Sequence, residues 1–329
     1  MPEFNSLIQR LKRLEAEQFE PLAIDIFKCQ YQYNDIYHNW CTSLGKTPET
    51  VSRLGDIPFL PISFFKSQVI RTGSWKEQLV FESSGTTGME TSKHYVADEQ
   101  LYLENCVRAF EKQYGALDNY IILALLPSYL ERGNSGLISM VNHFIGLTNS
   151  NESGFYLNNL EELFQKLNAL KKGEKKVILW GVTFALLDFA ESFSVDFPEL
   201  IVMETGGMKG RREEMLRTEV HASLMKAFGV QHIHSEYGMT ELFSQAYSMG
   251  EGLFKPSATM RVMGRDINDP LSYPSNKRTV ALNVIDLANI YTCSFIETKD
   301  LGTVYEEGSF EVRGRMDNSD LRGCNLLVV

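Results

Sequence analysis

No apolar run in the 329-residue sequence is long enough to cross a bilayer: the longest, residues 120–127 and 177–190, are short or interrupted. A transmembrane anchor is therefore not expected. The first residues, MPEFNSLIQRLKRLE, alternate charged with apolar side chains and lack the hydrophobic core of a signal peptide, so a cytoplasmic location is expected. Positive charge is also in deficit. The net charge of −10 repels a polyanion, so nucleic-acid binding would need a local basic patch. KKGEKK at 171–176 is the best candidate and reads better as a solvated turn. The five cysteines, Cys29, Cys41, Cys106, Cys293 and Cys324, form no CxxC pair or Cys/His cluster with metal spacing. Their odd number argues against a disulfide framework and suits free thiols. The phosphate-binding patterns GxxxxGK[ST] and GxGxxG are missing as well.

What remains is an ordinary globular composition, 43% hydrophobic and 22% charged, in a chain long enough for two domains. Residues 5–45 read as helical: Leu7, Leu11, Leu14 and Phe19, then Ile24, Ile26 and Phe27, recur near helical spacing. Pro58 and Pro61 then force extended backbone through DIPFLPISFFK. From residue 78, short apolar strands (EQLVFE, YIILALLP, KVILWG, ELIVMET, VQHIHS) alternate with helical stretches. Leu103, Val107, Phe110 and Tyr114 would make one face of the first helix; Met215, Val220, Leu224 and Phe228 would help line a later one. This rhythm predicts a mainly parallel sheet covered on both faces. After residue 250 the chain turns strand-rich, with RTVALNVIDL, CSFIET and GSFEVRGR. The expected fold is α/β, divided into an N-terminal helical segment (1–55), an α/β core (56–250) and a smaller β-rich subdomain with a short tail (251–329).

Ligands of open parallel sheets bind beyond the carboxyl ends of the strands. Here the strand ends are followed by SSGTTG, PSYLERGNSG, GVT, TGGMKGRRE and SEYGMTE. In SSGTTG, glycines at 85 and 88 permit close backbone approach to an anion, while Ser83, Ser84, Thr86 and Thr87 add hydroxyl donors. The same composition is equally that of a surface turn. SEYGMTE is more specific: Tyr237 can stack on a purine, Thr240 can bond a phosphate and Glu241 can hold a divalent cation.

Together, in this order, SSGTTG and YGMTE resemble the phosphate loop and YGxTE motif of the adenylate-forming superfamily, which includes acyl-CoA synthetases, luciferases and nonribosomal-peptide adenylation domains. Further stretches carry the resemblance, which spans about residues 58–323. TGG at 205–207 matches a glycine pair near the adenine (Gly206, Gly207), and ETKDLG matches TGDLG. GRMDNSDLRG matches the family's hinge motif. The resemblance implies ATP and Mg²⁺ as cofactors, with residues 83–88 (Ser83, Ser84, Gly85, Thr86, Thr87, Gly88) on the β- and γ-phosphates. It places Thr240 on the α-phosphate, Glu241 on the metal, and Tyr237 and Gly238 against the adenine. Asp300 would bond the ribose hydroxyls, Arg315 would contact ribose or phosphate, and Asp317 would sit at the hinge.

Three departures stand out. Glu90 and Thr91 replace the Pro-Lys of the phosphate loop, leaving Lys93 as the nearest lysine; Lys299 replaces a glycine; and only six residues follow Gly323 where the superfamily continues into a mobile lid. An absent lid is therefore expected. In this shortness, and in SSGTTG, LPSYLERGNSG and RGCNLLVV, the sequence is similar to the LuxE-type acyl-protein synthetases. That branch activates a fatty acid as acyl-AMP and transfers the acyl group to its own C-terminal cysteine. Cys324 is the position that fits, with an acyl-CoA reductase or acyltransferase as the implied partner. A cysteine packed among Leu326 and Leu327 is the plainer alternative. An acyl- or aryl-CoA ligase and a non-catalytic nucleotide-binding scaffold remain as competing functions. His232 and His234 read as alternating on a buried strand, His232 as a core polar group. Glu131 and Arg132 would border the acyl pocket, and Trp180, Val182 and Phe184 would line it or simply pack the core.

Overall fold

The computed structural model describes residues 2–83, 91–127, 134–157, 159–207, 212, 215–269, 271–273 and 279–316. Its helices among these, in chain order, are α1 (Pro2–Lys12), α2 (Phe19–Tyr33), α3 (Asp35–Ser43), α4 (Phe64–Ser67), α5 (Glu99–Tyr114), α6 (Gly136–Leu147), α7 (Leu160–Leu170), α8 (Thr183–Ser192) and α9 (Arg217–Phe228). The strands are β1 (Leu60–Pro61), β2 (Leu79–Glu82), β3 (Lys93–Val96), β4 (Tyr120–Leu125), β5 (Gly154–Tyr156), β6 (Lys176–Val182) and β7 (Ile201–Thr205). They continue with β8 (His234–Tyr237), β9 (Ala246–Ser248), β10 (Leu253–Pro256), β11 (Met260–Arg265), β12 (Val280–Asp286), β13 (Phe295–Val304) and β14 (Phe310–Arg315). The chain forms two compact units, Lys76–Ser257 and Met1–Trp75 with Ala258–Val329.

In the unit Lys76–Ser257 the strand order is β10-β9-β8-β7-β6-β4-β5. The pairs from β8 to β5 are all parallel, and β9 and β10 add an antiparallel edge. Every residue of β4 is buried, as is all of β6 after Lys176. Such strands need apolar side chains in both directions because helices cover both faces. On one face Phe110 of α5 and Phe144 of α6 pack against Trp180 of β6, and Tyr247 of β9 meets Trp180 edge-on. EQLVFE does not join this sheet: β2 pairs with β3 in a separate antiparallel hairpin. The helix faces also shift from their expected positions. α5 buries Leu101, Tyr102, Asn105, Cys106, Ala109 and Phe110, leaving Leu103, Val107 and Tyr114 half-buried. α9 buries Val220, His221, Leu224, Ala227 and Phe228, while Met215 lies outside the helix and exposed.

In the other unit, β11, β12, β13 and β14 form an antiparallel sheet, and β1 pairs with β13 in parallel. Residues 1–55 do not stand apart from this sheet's unit. Gln30 and Asn34, one helical turn apart at the end of α2, clamp the segment after β12. Gln30 Nε2 donates to the Asn289 and Ile290 carbonyls, Ser294 N–H donates back to Gln30 Oε1 at 2.9 Å, and Asn34 Nδ2 donates to the Thr292 carbonyl at 2.9 Å. Tyr37 of α3 stacks on Phe295 of β13 with ring centroids 5.9 Å apart.

Gly302 lies beside a register shift in the β13–β14 ladder, where a side-chain Cβ would overlap the Glu311 carbonyl oxygen. Backbone cannot yield as a flexible side chain can, so Gly302→Ala is expected to destabilise by about 1–3 kcal/mol. A fall in melting temperature of less than 1 °C would show that the ladder relaxes.

Candidate active site

The strand-end motifs are brought together within the unit Lys76–Ser257. β2 and β3 form the neck of the SSGTTG segment. Ser83 N–H donates to the Ser92 carbonyl at 3.0 Å, and Ser92 N–H donates to Ser83 Oγ at 2.8 Å. The Ser83 hydroxyl therefore already accepts one bond. Ser84, Gly85, Thr86, Thr87 and Gly88 lie outside the described residues, as do Glu131, Arg132, Asp317 and Cys324. Lys93 stands opposite Glu82 in the hairpin register, exposed, with Nζ 3.9 Å from the Glu82 carboxylate.

The sequence missed the residue that joins this neck to SEYGMTE. His94, next to Lys93 and fully buried, places Nδ1 2.8 Å from the carbonyl oxygen of Thr240 and stacks on Phe243 at 4.6 Å. A carbonyl accepts only, so Nδ1 carries the proton. Burial pushes the His94 imidazole down to about 4, against a smaller upward pull from the Thr240 carbonyl. The signal was present: KHYV alternates, and the structure buries His94 and Val96 while exposing Lys93.

This tether has a pH signature. The unfolded histidine binds its proton near pH 6.5 and the folded one only near 4, so between these values the unfolded state holds more protons. His94's contribution is complete above pH 6.5 and lost as pH falls toward 4, worth about 3 kcal/mol at most. His94→Asn, whose side-chain N–H can replace Nδ1–H, should flatten the acid side of the melting-temperature profile and keep turnover within about threefold. His94→Leu should lower kcat by about tenfold through loss of the Thr240 bond. An unchanged acid limb in the asparagine variant would remove His94 as its source.

Beyond His94, Thr240 is half-buried in a turn closed by Leu242 N–H on the Met239 carbonyl, and Glu241 is buried at 6% exposure. Tyr237 ends β8, buried, with its ring tilted against Phe254 at 5.8 Å. Gly206 follows β7 with φ +73°, a left-handed value that favours glycine, and Gly207 faces open space where a Cβ would meet nothing within 4 Å. His232 is not a core group: the strand starts at His234, four residues later than VQHIHS suggests, leaving His232 exposed. His234 is half-buried, with Nδ1 3.0 Å from the Tyr114 hydroxyl. Trp180, Val182 and Phe184 are fully packed.

Two buried carboxylates escaped the sequence reading. Glu204, at the end of β7, accepts from Thr183 Oγ1 at 3.0 Å and Ser235 Oγ at 2.9 Å, and lies 3.2 Å from His221 Nε2. Burial raises its carboxyl, but the His221 bond and the Arg217 charge outweigh this and hold it below the usual carboxylate range. Glu236, on the opposite face of β8, accepts one hydrogen bond from Thr205, and burial pushes its carboxyl up to about 7.

In the other unit, register sets Asp300 of β13 directly across from Arg315 of β14, with Arg315 Nε 3.6 Å from the Asp300 carboxylate. The arginine is largely exposed and the aspartate largely buried. A carboxylate steadied by a neighbouring guanidinium suits acceptance of two sugar hydroxyl protons. Among the described residues no group of three or more His, Cys, Asp or Glu side chains could hold a metal ion. No helix among the described residues is long and apolar enough to cross a membrane.

Comparison with solved structures places this fold. An open conformation of 2-hydroxyisobutyryl-CoA ligase in complex with 2-HIB-AMP and CoA superposes with a TM-score of 0.66 at 11% identity, covering 90% of this chain and 73% of that one. ATP-bound MatB from Rhodopseudomonas palustris gives a TM-score of 0.53 at 15% identity over 72% of this chain and 47% of MatB. McyG A-PCP complexed with phenylalanyl-adenylate gives 0.52 at 16% identity over 76% of this chain and 50% of its own. The chain thus spans about half the length of MatB and McyG A-PCP. At these identities the likeness is one of fold. None of the curated proteins matches the sequence. A family model, that of the acyl-protein synthetase LuxE, matches residues 14–329, and the chain belongs to that family.

Proposed function

We propose that this protein is a ligase that activates a carboxylic acid, of the fatty class by family, as acyl-AMP and passes the acyl group to the thiol of Cys324. The carboxylate attacks the α-phosphorus of ATP and pyrophosphate leaves. Charge builds on the phosphate oxygens, so the protein's task is positioning and electrostatic stabilisation. Backbone N–H groups and hydroxyls of residues 83–88 would hold the β- and γ-phosphates, and Thr240 the α-phosphate. Tyr237 would stack on adenine beside Gly206, Gly207 and Gly238, and Asp300 and Arg315 would serve the ribose. Lys93, paired with Glu82 across the hairpin, would supply cationic charge near the loop neck. Mg²⁺ bound with the triphosphate would neutralise phosphate charge, and Glu241 is the carboxylate assigned to it.

The observation that carries this reading is the His94–Thr240 bond. It fixes the strand leaving SSGTTG against the SEYGMTE turn, as a site reading one triphosphate from two segments requires. In the second step the Cys324 thiolate attacks the acyl carbonyl, the C–O bond to AMP breaks, and a thioester forms. The acyl group would then go to a partner reductase or acyltransferase.

One observation favours a second reading, a CoA ligase: the fold match to 2-hydroxyisobutyryl-CoA ligase covers 73% of that chain. ATP–pyrophosphate exchange over a panel of carboxylic acids tests the shared first step. Exchange with no acid in the panel would overturn adenylation, and product that forms only with CoA would favour the second reading.

A further inference from the structure

The face of the β7–β9 region that packs toward α5 carries a buried polar cluster that no step above uses. Register aligns Val182, Thr205, Glu236 and Tyr247 across β6, β7, β8 and β9, and residues in register point to the same face. Thr205, Glu236 and Tyr247 are all buried, and Glu236 receives one hydrogen bond, on Oε2 from Thr205. Its other oxygen lies against Gly238, where a Cβ would collide with it and would stand 3.7 Å from Gln245 Cγ. On the neighbouring residues Tyr247, Trp180 and Gln245, three buried polar atoms have no hydrogen-bond partner among the described residues: the Tyr247 hydroxyl, Trp180 Nε1 and Gln245 Oε1. The Trp180 and Tyr247 rings meet edge-on at 6.3 Å.

Orphan groups of this kind are uncommon in folded proteins, and each carries the desolvation cost of an unmade bond. Three of them beside a buried carboxyl form a group with complementary needs. The indole N–H only donates and the amide oxygen only accepts, while the phenol and the carboxyl can do either. The cluster adjoins the proposed nucleotide site along the chain: Thr205 precedes Gly206, and Glu236 precedes Tyr237.

We propose that this polar cluster binds a hydroxyl group of the acid substrate, so that the chain activates a hydroxy-substituted carboxylic acid in preference to its unsubstituted analogue. A hydroxyl accepts from the indole N–H or the phenol and donates to Gln245 or Glu236, whereas a methylene satisfies none of them. An ammonium has no lone pair for the indole N–H. The inference rests on the adenylation reading and goes beyond it to the substrate class.

The test is ATP–pyrophosphate exchange with pairs of hydroxylated and unsubstituted acids of identical carbon skeleton. The wild type should favour the hydroxylated member of at least one pair by about 100-fold or more in kcat/KM, since a site built to bond a hydroxyl rejects its absence strongly. Tyr247→Phe keeps the ring packing and removes one orphan atom. It should cut that preference about tenfold, leave exchange with the unsubstituted acid unchanged, and leave the melting temperature equal or higher. Gln245→Met should do the same from the acceptor side. Equal rates within every pair, a preference for amino acids, or a preference untouched in both variants would overturn the proposal while leaving adenylation standing. No exchange with any acid would instead overturn adenylation, and the proposal with it.

Discussion

Cys324→Ala should leave acid-dependent pyrophosphate exchange at the wild-type rate and abolish covalent labelling of the protein by radioactive acid and ATP. The thiols of the described residues support this by elimination. Cys29, Cys41, Cys106 and Cys293 are buried and form no disulfide. Burial pushes the Cys41 thiol up to about 12, against a bond with Tyr37, and raises Cys293 far above the usual thiol range. A thiol shut away from solvent, and in Cys41 and Cys293 also held protonated, is a poor nucleophile toward an acyl-adenylate. Cys324 is the remaining cysteine of the sequence. The wild-type label should be released by neutral hydroxylamine, as a thioester is. Labelling that persists in the alanine variant would return the acceptor role to a buried cysteine or to another residue type.

Glu241→Gln should lower acid-dependent pyrophosphate exchange by about 10²–10³-fold, because on the proposed reading it removes the charge that holds the triphosphate's Mg²⁺ while keeping the side chain's shape. Glu241 sits buried one residue after Thr240, whose carbonyl is already fixed by His94, so the carboxylate's placement does not depend on its own flexibility. The melting temperature should move by less than about 4 °C, the shift expected for no more than about 1 kcal/mol in a protein of this size. Raising Mg²⁺ should recover part of the lost rate if the carboxylate serves the cation. Exchange at the wild-type rate would take Glu241 out of the nucleotide site.

Much of this was legible in the chain. β4, and β6 after Lys176, are continuously buried and mostly apolar because both faces of a parallel sheet are covered, and that continuous pattern marks them as strands. Strand-end glycines and hydroxyls were legible for the same reason, since apolar strands make their polar successors conspicuous. β5 and β9 are three residues each, too short to show a period. The union of α2 with the segment after β12 depends on Gln30 and Asn34 bonding residues about 260 positions away, which no local pattern encodes. His232 and His234 drew notice because they adjoin the motif, yet His94 and His221 make the bonds that hold Thr240 and Glu204. Glu204 and Glu236 could have been found as charged residues near the ends of two strands of a covered parallel sheet, IVMET and HSEY, where an ionisable group needs a partner or a purpose.

The central claim is that the acid's own oxygen attacks the α-phosphorus of ATP. Incubating the protein with ATP and an acid labelled with ¹⁸O in its carboxylate, then weighing the nucleotide product, tests it directly. Adenylation moves one carboxylate oxygen onto the phosphate, and the later acyl transfer breaks the bond between that oxygen and the acyl carbon. The account predicts AMP carrying one ¹⁸O. Unlabelled AMP, or ADP as the product, would contradict it.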